Sequence, residues 1–544
     1  MGTVHAPPDR SIHPRKLPPQ TPVRFPQCSP QAAPSPTSPP GQPLVPLLQS
    51  ICRPADFRDS HFEALGLHVI SDAPSQDIVP DSSFLPPAEE WNAIDDDILL
   101  EVDDATKKPL NNGKLCPGAQ TYRERQSELF IDNTAAFRTI RRIPPPTGEA
   151  AVRLGNAYEF FKNLELFSAY WDDTSLPTTP EPPSKPDTPQ EQVETPHQPH
   201  LQTHQRTGIG SQLPPEFRQN LLTAFIKLVA YDFGCNVSFP RHEPRLYLTP
   251  PPSSSAPPSH FNSSANFIYR IPTERIAARS GTLEGPVAAI SCRTSTVFAT
   301  EADSRLDLAR EVVAVLLTAQ QRAREGKTEK RFGQDKWWAT KPRWGGGPGG
   351  PIGREADKPD ELASVSTDTP ESTACDDNGS QVVAETRRLF GISGPSSSKR
   401  AKKARGNMHI YENYRKLMPP APMWDRRARY CPIGKEVSVG NDGFDDIFLV
   451  SSLNHHVSIV RVRVPDKLLS VLGGEDEGQG WGRLVMWRSK WYDLFLAEER
   501  VEAMQLVWGM IAYLMREIDV LPACDKNQEA EHEDQIAGPS KTEK

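Results

Sequence analysis

The chain has 544 residues, room for three or four ordinary domains, but 56 prolines and a hydrophobic share of 37% mean that much of it cannot bury a core. A net charge of −8 excludes a uniformly basic nucleic-acid binder. The charge is uneven, with twelve Lys/Arg against three Asp/Glu from Gln381 to Tyr430 and acidic runs at Asp95–Asp104 and Glu475–Glu477. Eight scattered cysteines form no C-x-x-C, which argues against a zinc ribbon or redox dithiol. The N-terminus lacks the apolar run of a signal peptide, and Ala6 stands where a myristoylation motif wants Ser or Thr. No apolar stretch reaches the roughly 18 residues of a membrane span. The expectation is a soluble intracellular protein with no membrane partner.

In chain order, residues 1–45 read as a disordered Pro-rich arm, followed by a mainly helical region over 46–175. Its best element is a helix near Glu149–Trp171, where Leu154, Tyr158, Phe161, Leu164 and Phe167 recur at helical spacing and Thr147 is the expected N-cap. Residues 176–212 form a Pro/Thr linker with the pairs Thr179-Pro180, Thr188-Pro189 and Thr195-Pro196, which fit proline-directed phosphorylation or simply Pro-rich text.

A middle α+β region spans 213–344. It opens with a helix started by Pro214-Pro215 and continues with strands at Asn236–Phe239, Arg245–Leu248, Phe267–Ile271 and Val287–Phe298. A 250–259 insert must loop out, and a closing helix carries Leu306, Ala309, Val313 and Leu316 on one side, with Asp303 or Ser304 as its cap. After a disordered linker over 345–407, a C-terminal α+β region covers 408–521. There Val460, Val462 and Val464 alternate with Arg461 and Arg463, so the strand Val457–Val464 is expected to bury one face and leave the other basic. A strand over Arg483–Phe495 leads into a helix with Val501, Met504, Trp508, Ile511 and Met515 on one face, and residues 522–544 form a polar tail. The predicted class is α+β: two modest strand–strand–helix regions plus a helical N-terminal region, separated by long disordered linkers. The shared order of the two regions fits either a diverged duplication or an ordinary two-layer sheet.

The most specific motif is Arg387-Arg388, ten intervening residues, then Lys399, Arg400, Lys402, Lys403 and Arg405. Two solvated basic clusters at this separation match a bipartite nuclear import signal, whose partner is an import carrier with acidic grooves. A basic linker contacting polyanions is the plainer reading. A second motif interleaves Arg331, Lys336, Trp337, Trp338, Arg343 and Trp344. Such a pattern suits single-stranded RNA, and equally suits a strap packed on the preceding domain. A third candidate RNA contact is a basic, aromatic sheet face built from Arg461 and Arg463 with Arg483, Arg488, Lys490, Trp487 and Trp491, provided their strands are neighbours; a solvated face that resists edge pairing would look similar. Acyl-hydrolase, Walker, dinucleotide and zincin patterns are absent. His455-His456 reads as structural, because adjacent residues of a strand point to opposite faces. No cofactor, metal or catalytic residue is expected.

The Trp-Trp/Trp-Gly-Gly-Gly segment, the bipartite signal and the strand Val457–Val464 together resemble filamentous-fungal nuclear proteins, among them the subtelomeric hypoxia-responsive morphology factors. The resemblance implies regulation of gene expression affecting colony or biofilm form. The function expected is that of a nuclear, non-enzymatic regulatory or scaffold protein acting through unidentified nuclear proteins. The alternatives are an RNA-binding or RNA-processing accessory factor and a divergent enzyme.

Overall fold

The computed structural model describes residues 18–31, 43–176, 206–238, 243–279, 282–325, 342–343, 428–436, 443–475 and 480–518. Within them the fold is α+β. Nine strands join in one mixed sheet, ordered β1-β11-β10-β9-β6-β5-β2, with β8 alongside β6 and β12 alongside β10. These are β1 (Leu67–Ile70), β2 (Cys235–Ser238), β5 (Asn266–Arg270), β6 (Leu283–Arg293), β8 (Ala428–Tyr430), β9 (Phe444–Leu453), β10 (His456–Pro465), β11 (Leu484–Arg488) and β12 (Tyr492–Asp493). A small second sheet holds β3 (Arg245–Leu248), β4 (Ser259–Asn262) and β7 (Pro342–Arg343).

The three folded regions expected from the sequence are therefore parts of one sheet. β1, from the N-terminal region, pairs in parallel with β11, and β6 of the middle region pairs in parallel with β9 of the C-terminal region. The physical reason lies in β6, whose residues 284–291 are all buried. A strand apolar on both sides needs helices on both faces and partners on both edges, which one strand–strand–helix unit cannot supply. One face is covered by the helices Ala119–Leu129, Asn133–Arg141, Tyr158–Phe167, Pro215–Ala230 and Ala497–Leu514. The other is covered by Leu44–Gln49, Asp59–Leu65, Glu301–Arg322 and Asp466–Leu472. Along β10 the period of two holds: Val457 and Ile459 enter the first core, Val460, Val462 and Val464 the second. Leu316 lies in the second core.

Several local expectations shift. The expected helix near Glu149–Trp171 starts only at Tyr158, after a 3-10 turn at Gly155–Ala157, so Thr147 caps nothing. The strand foreseen over Arg483–Phe495 breaks into β11 and β12. At the break Ser489 turns its hydroxyl onto β10, its Oγ accepting from the Ile459 amide at 2.9 Å. The Glu301–Arg322 helix is capped by Thr300, not by Asp303 or Ser304. Thr300 Oγ1 accepts from the Asp303 amide at 3.2 Å, and Asp303 Oδ2 accepts from the Thr300 amide at 2.9 Å. This reciprocal box makes Asp303 the third helical residue instead of the cap. Thr300→Ala is expected to cost about 1 kcal/mol in urea denaturation, and an unchanged midpoint would refute the cap.

The N-terminal arm is corrected in part. Residues 18–31 lie against the body as an extended strap, and Leu44–Gln49 is a helix. Proline favours extended backbone, and here that backbone runs beside an edge strand. The Pro30 carbonyl accepts from the Val69 amide at 2.9 Å, and Gln31 Nε2 donates to the Val69 carbonyl at 3.1 Å. Further back, Thr21 Oγ1 accepts from the Gly210 amide at 2.8 Å.

Candidate functional site

The strap crosses the molecule above two polar clusters. The first lies on the face covered by the Glu301–Arg322 helix. Asp307 and Glu311, four residues apart, share one side of that helix and face the sheet. Arg293, the last residue of β6, places Nε 2.7 Å from Asp307 Oδ1 and Nη1 3.0 Å from Glu311 Oε1. Arg488, the last residue of β11, grips both Glu311 oxygens, and Ser451 Oγ donates to Glu311 Oε1 at 2.6 Å. Both guanidiniums stand near one indole: Arg293 lies 5.8 Å and Arg488 5.5 Å from the Trp491 ring centre. On that indole Phe25 of the strap stacks, with centroids 5.1 Å apart and planes 10° from parallel.

Beside this cluster is a cavity of about 270 Å³, lined by Phe25, Cys28, Asp72, Asp307, Glu311 and Arg488, among others. The two carboxylates are pushed in opposite directions. Burial raises the proton affinity of Glu311, but Arg488 and Arg293 outweigh it and hold the carboxyl at about 2. Burial dominates at Asp307, against the pull of Arg293 and with the push of the Glu311 charge, so its pKa is raised. One signal was present in the sequence: a carboxylate pair at i, i+4 on a helix face that is otherwise core. Arg293 and Arg488 are about 200 residues apart in sequence, so nothing local pairs them.

The second cluster overturns the expectation that His455 and His456 cannot serve one site. His455 is not in a strand. It sits with Asn454 in the two-residue turn between β9 and β10, where Asn454 adopts the positive φ of 54° that such tight hairpins use. The turn swings the His455 ring onto the same side as His456, with ring centres 4.2 Å apart. Asp493 of β12, paired across from His456, completes the group. His455 Nε2 is 3.6 Å from Asp493 Oδ1, and His456 Nε2 is 3.6 Å from Asp493 Oδ2. All three residues are buried, and their ligand-capable atoms lie within 4.8 Å of one another, so they could hold a metal ion. Trp171 and Phe495 wall His455 at 5.4 and 4.9 Å, and Phe25 stands edge-on to His456 at 5.0 Å. Burial, with His455 adding and Asp493 opposing, lowers the His456 pKa to about 3. Burial pushes Asp493 up, but His455, His456 and the Thr174 hydroxyl together hold it at about 2.

The expected basic sheet face meets a different fate. β10 and β11 are neighbours, with Arg461 opposite Trp487, but both faces of the sheet are covered. Arg461 is only 5% exposed, donating to Asp446 Oδ2 at 2.9 Å and to the Asp77 carbonyl at 3.0 Å. Arg463 is half-buried over Phe444, 4.1 Å from its ring centre, and shares Asp446. Arg488 is spent on Glu311. The register supplies the countercharge: the pairing of β9 with β10 puts Asp446 directly across from Arg463. These three arginines form no solvent-facing platform.

Of the other candidates, Arg343 is placed in β7 beside Phe261 of β4. Arg331, Lys336, Trp337, Trp338 and Trp344 lie outside the described residues, as do Arg387, Arg388, Lys399, Arg400, Lys402, Lys403 and Arg405 of the import signal. Comparison with protein-family models, curated proteins and solved structures returns no match for this chain.

Proposed function

We propose that this chain is a nuclear, non-enzymatic regulatory or scaffold protein that is carried by an import receptor and influences gene expression through protein partners. The observation that carries the reading is the pair of basic clusters, Arg387-Arg388 and Lys399–Arg405, in the segment between β7 and β8. The folded body turns many of its arginines inward onto carboxylates, leaving this segment as the main concentration of basic charge. The fungal resemblance extends the proposal to control of growth form under low oxygen. In a fluorescent fusion of the whole chain, changing Lys399, Arg400, Lys402 and Lys403 to Ala should move the protein strongly to the cytoplasm. Changing only Arg387 and Arg388 should move it partly. Stability should change by less than about 0.5 kcal/mol, since surface substitutions away from packed features are nearly neutral. A quadruple variant that stays nuclear would overturn the proposal.

The RNA-binding reading retains the segment Arg331–Trp344. Salt-sensitive binding of single-stranded RNA that is lost on changing Trp337 and Trp338 to Ala would favour it. The enzyme reading is favoured by the cavity and by the opposed shifts of Asp307 and Glu311, a pattern used to separate acid from base. Both carboxylates, however, are committed to arginines. A metabolite that stabilises the wild type but not Asp307→Asn would favour that reading.

A further inference from the structure

We propose that His455, His456 and Asp493 bind one divalent first-row transition-metal ion, with Zn²⁺ the ion their donors fit best. The spacing carries the argument. Both His–Asp separations are 3.6 Å, beyond the range of an N–H···O hydrogen bond. Two donors bound tetrahedrally to zinc at ordinary bond lengths stand about 3.4 Å apart. Each histidine thus stands from Asp493 at nearly the spacing of two ligands on one ion, and all the donor atoms lie within 4.8 Å of one another.

Satisfaction of polar atoms points the same way. His455 is 1% exposed, yet neither ring nitrogen has a hydrogen-bond partner, and His456 Nδ1 has none. Asn454, on the same turn, is buried with both amide atoms unpartnered. Buried polar atoms are nearly always bonded, and a bound ion with its water would supply the partners that this hairpin turn lacks. Asp493, by contrast, is already oriented: Oδ2 accepts from Thr174 Oγ1 at 2.6 Å and Oδ1 from the Phe495 amide at 2.9 Å. Such outer partners aim a metal-ligating carboxylate.

The donor types select the ion. Two imidazoles and one carboxylate suit zinc and its neighbours, whereas Mg²⁺ and Ca²⁺ prefer oxygen alone. Three protein donors leave a position for water or a further donor. The aromatic wall of Trp171, Phe495 and Phe25 makes a dry surround, and because Phe25 belongs to the strap, the ion would fasten the hairpin turn, β12 and the seat of the strap together.

The test uses the full chain, stripped with a chelator and dialysed against Zn²⁺, with metal content measured by mass spectrometry. One zinc per chain is expected, and Co²⁺ in its place should give visible d–d absorption. His456→Gln and Asp493→Asn should each weaken binding by more than about 10-fold, while His61→Gln, outside the cluster, should bind as wild type. To keep the test independent of how well a variant folds, the wild-type chain is also melted with and without Zn²⁺, and its Tm should rise with metal. Anaerobic competition with Fe²⁺ distinguishes the ions: displacement of zinc by equimolar Fe²⁺ would overturn the zinc assignment. Absence of bound Zn²⁺ and Co²⁺ in the wild type, or equal binding by folded His456→Gln, would overturn the site.

Discussion

Replacing Arg322 with methionine is expected to cost about 3–5 kcal/mol, the range for breaking a buried ion pair from one side. Arg322 is 1% exposed and ends the Glu301–Arg322 helix inside the protein. Its guanidinium holds Asp445 of β9 bidentately, Nε to Oδ2 at 2.7 Å and Nη2 to Oδ1 at 3.0 Å. It also donates to the carbonyls of Pro286 in β6, at 2.9 Å, and of Ile433 after β8, at 2.8 Å. One side chain therefore ties a helix end to three segments, two of which are far apart from it in sequence. Methionine keeps much of the volume but leaves the Asp445 carboxylate, 4% exposed, without a countercharge. Lysine should rescue little, because an ammonium cannot reproduce the planar fork. The double variant with Asp445→Leu should recover most of the loss, since the stranded charge goes with its partner. Urea denaturation measures all four proteins. A single-variant loss below about 1 kcal/mol would show that Asp445 finds water.

Glu311→Gln should destabilise by a similar ~3–5 kcal/mol, because it leaves the part-buried Arg488 without its carboxylate and Arg293 with Asp307 alone, beside Trp491. This variant also carries a pH signature. The folded-state pKa of Glu311, about 2, lies below the ordinary glutamate value near 4.3. A depressed carboxylate contributes stability that is complete above the unfolded value and is lost as pH falls through the folded one. The gap between wild type and Glu311→Gln should therefore be widest above about pH 5 and shrink steadily towards pH 2. Asp307 acts in the opposite sense: its raised pKa costs stability at neutral pH, and that cost is relieved by protonation. Asp307→Asn should accordingly show a smaller loss than Glu311→Gln at pH 7. A gap that stayed constant down to pH 2 would mean that Glu311 is not held ionised by the two arginines.

Elements whose signal is local are legible in the residues themselves. The Pro215–Ala230 helix follows from Pro214-Pro215 and a regular apolar stripe, and β3 matches its expected bounds. β10 follows from alternating valines, and the long apolar run of Glu301–Arg322 from its periodicity. The basic clusters at 387–405 are likewise a matter of residue type and spacing alone. Each of these depends on interactions within about twenty residues, over which a one-dimensional pattern is a fair proxy for geometry.

What the sequence could not decide was pairing. That β1 lies beside β11 and β6 beside β9 joins segments more than a hundred residues apart, and no periodicity encodes which edge meets which. The same gap misassigned the arginines of β10: alternation shows that Arg461 and Arg463 share a face, but only the register puts Asp446 across from Arg463 and within reach of Arg461. It also hid the histidine site, because the rule for opposite faces applies within a strand and His455 is in a turn whose place is set by β9 pairing with β10. The sequence by itself determined the strongly periodic helices, strands β3 and β10 and the basic segment, since those signals are local. The tertiary structure alone decided which charges are buried together and which polar side chains converge, because burial and pairing arise only when distant strands close into one sheet.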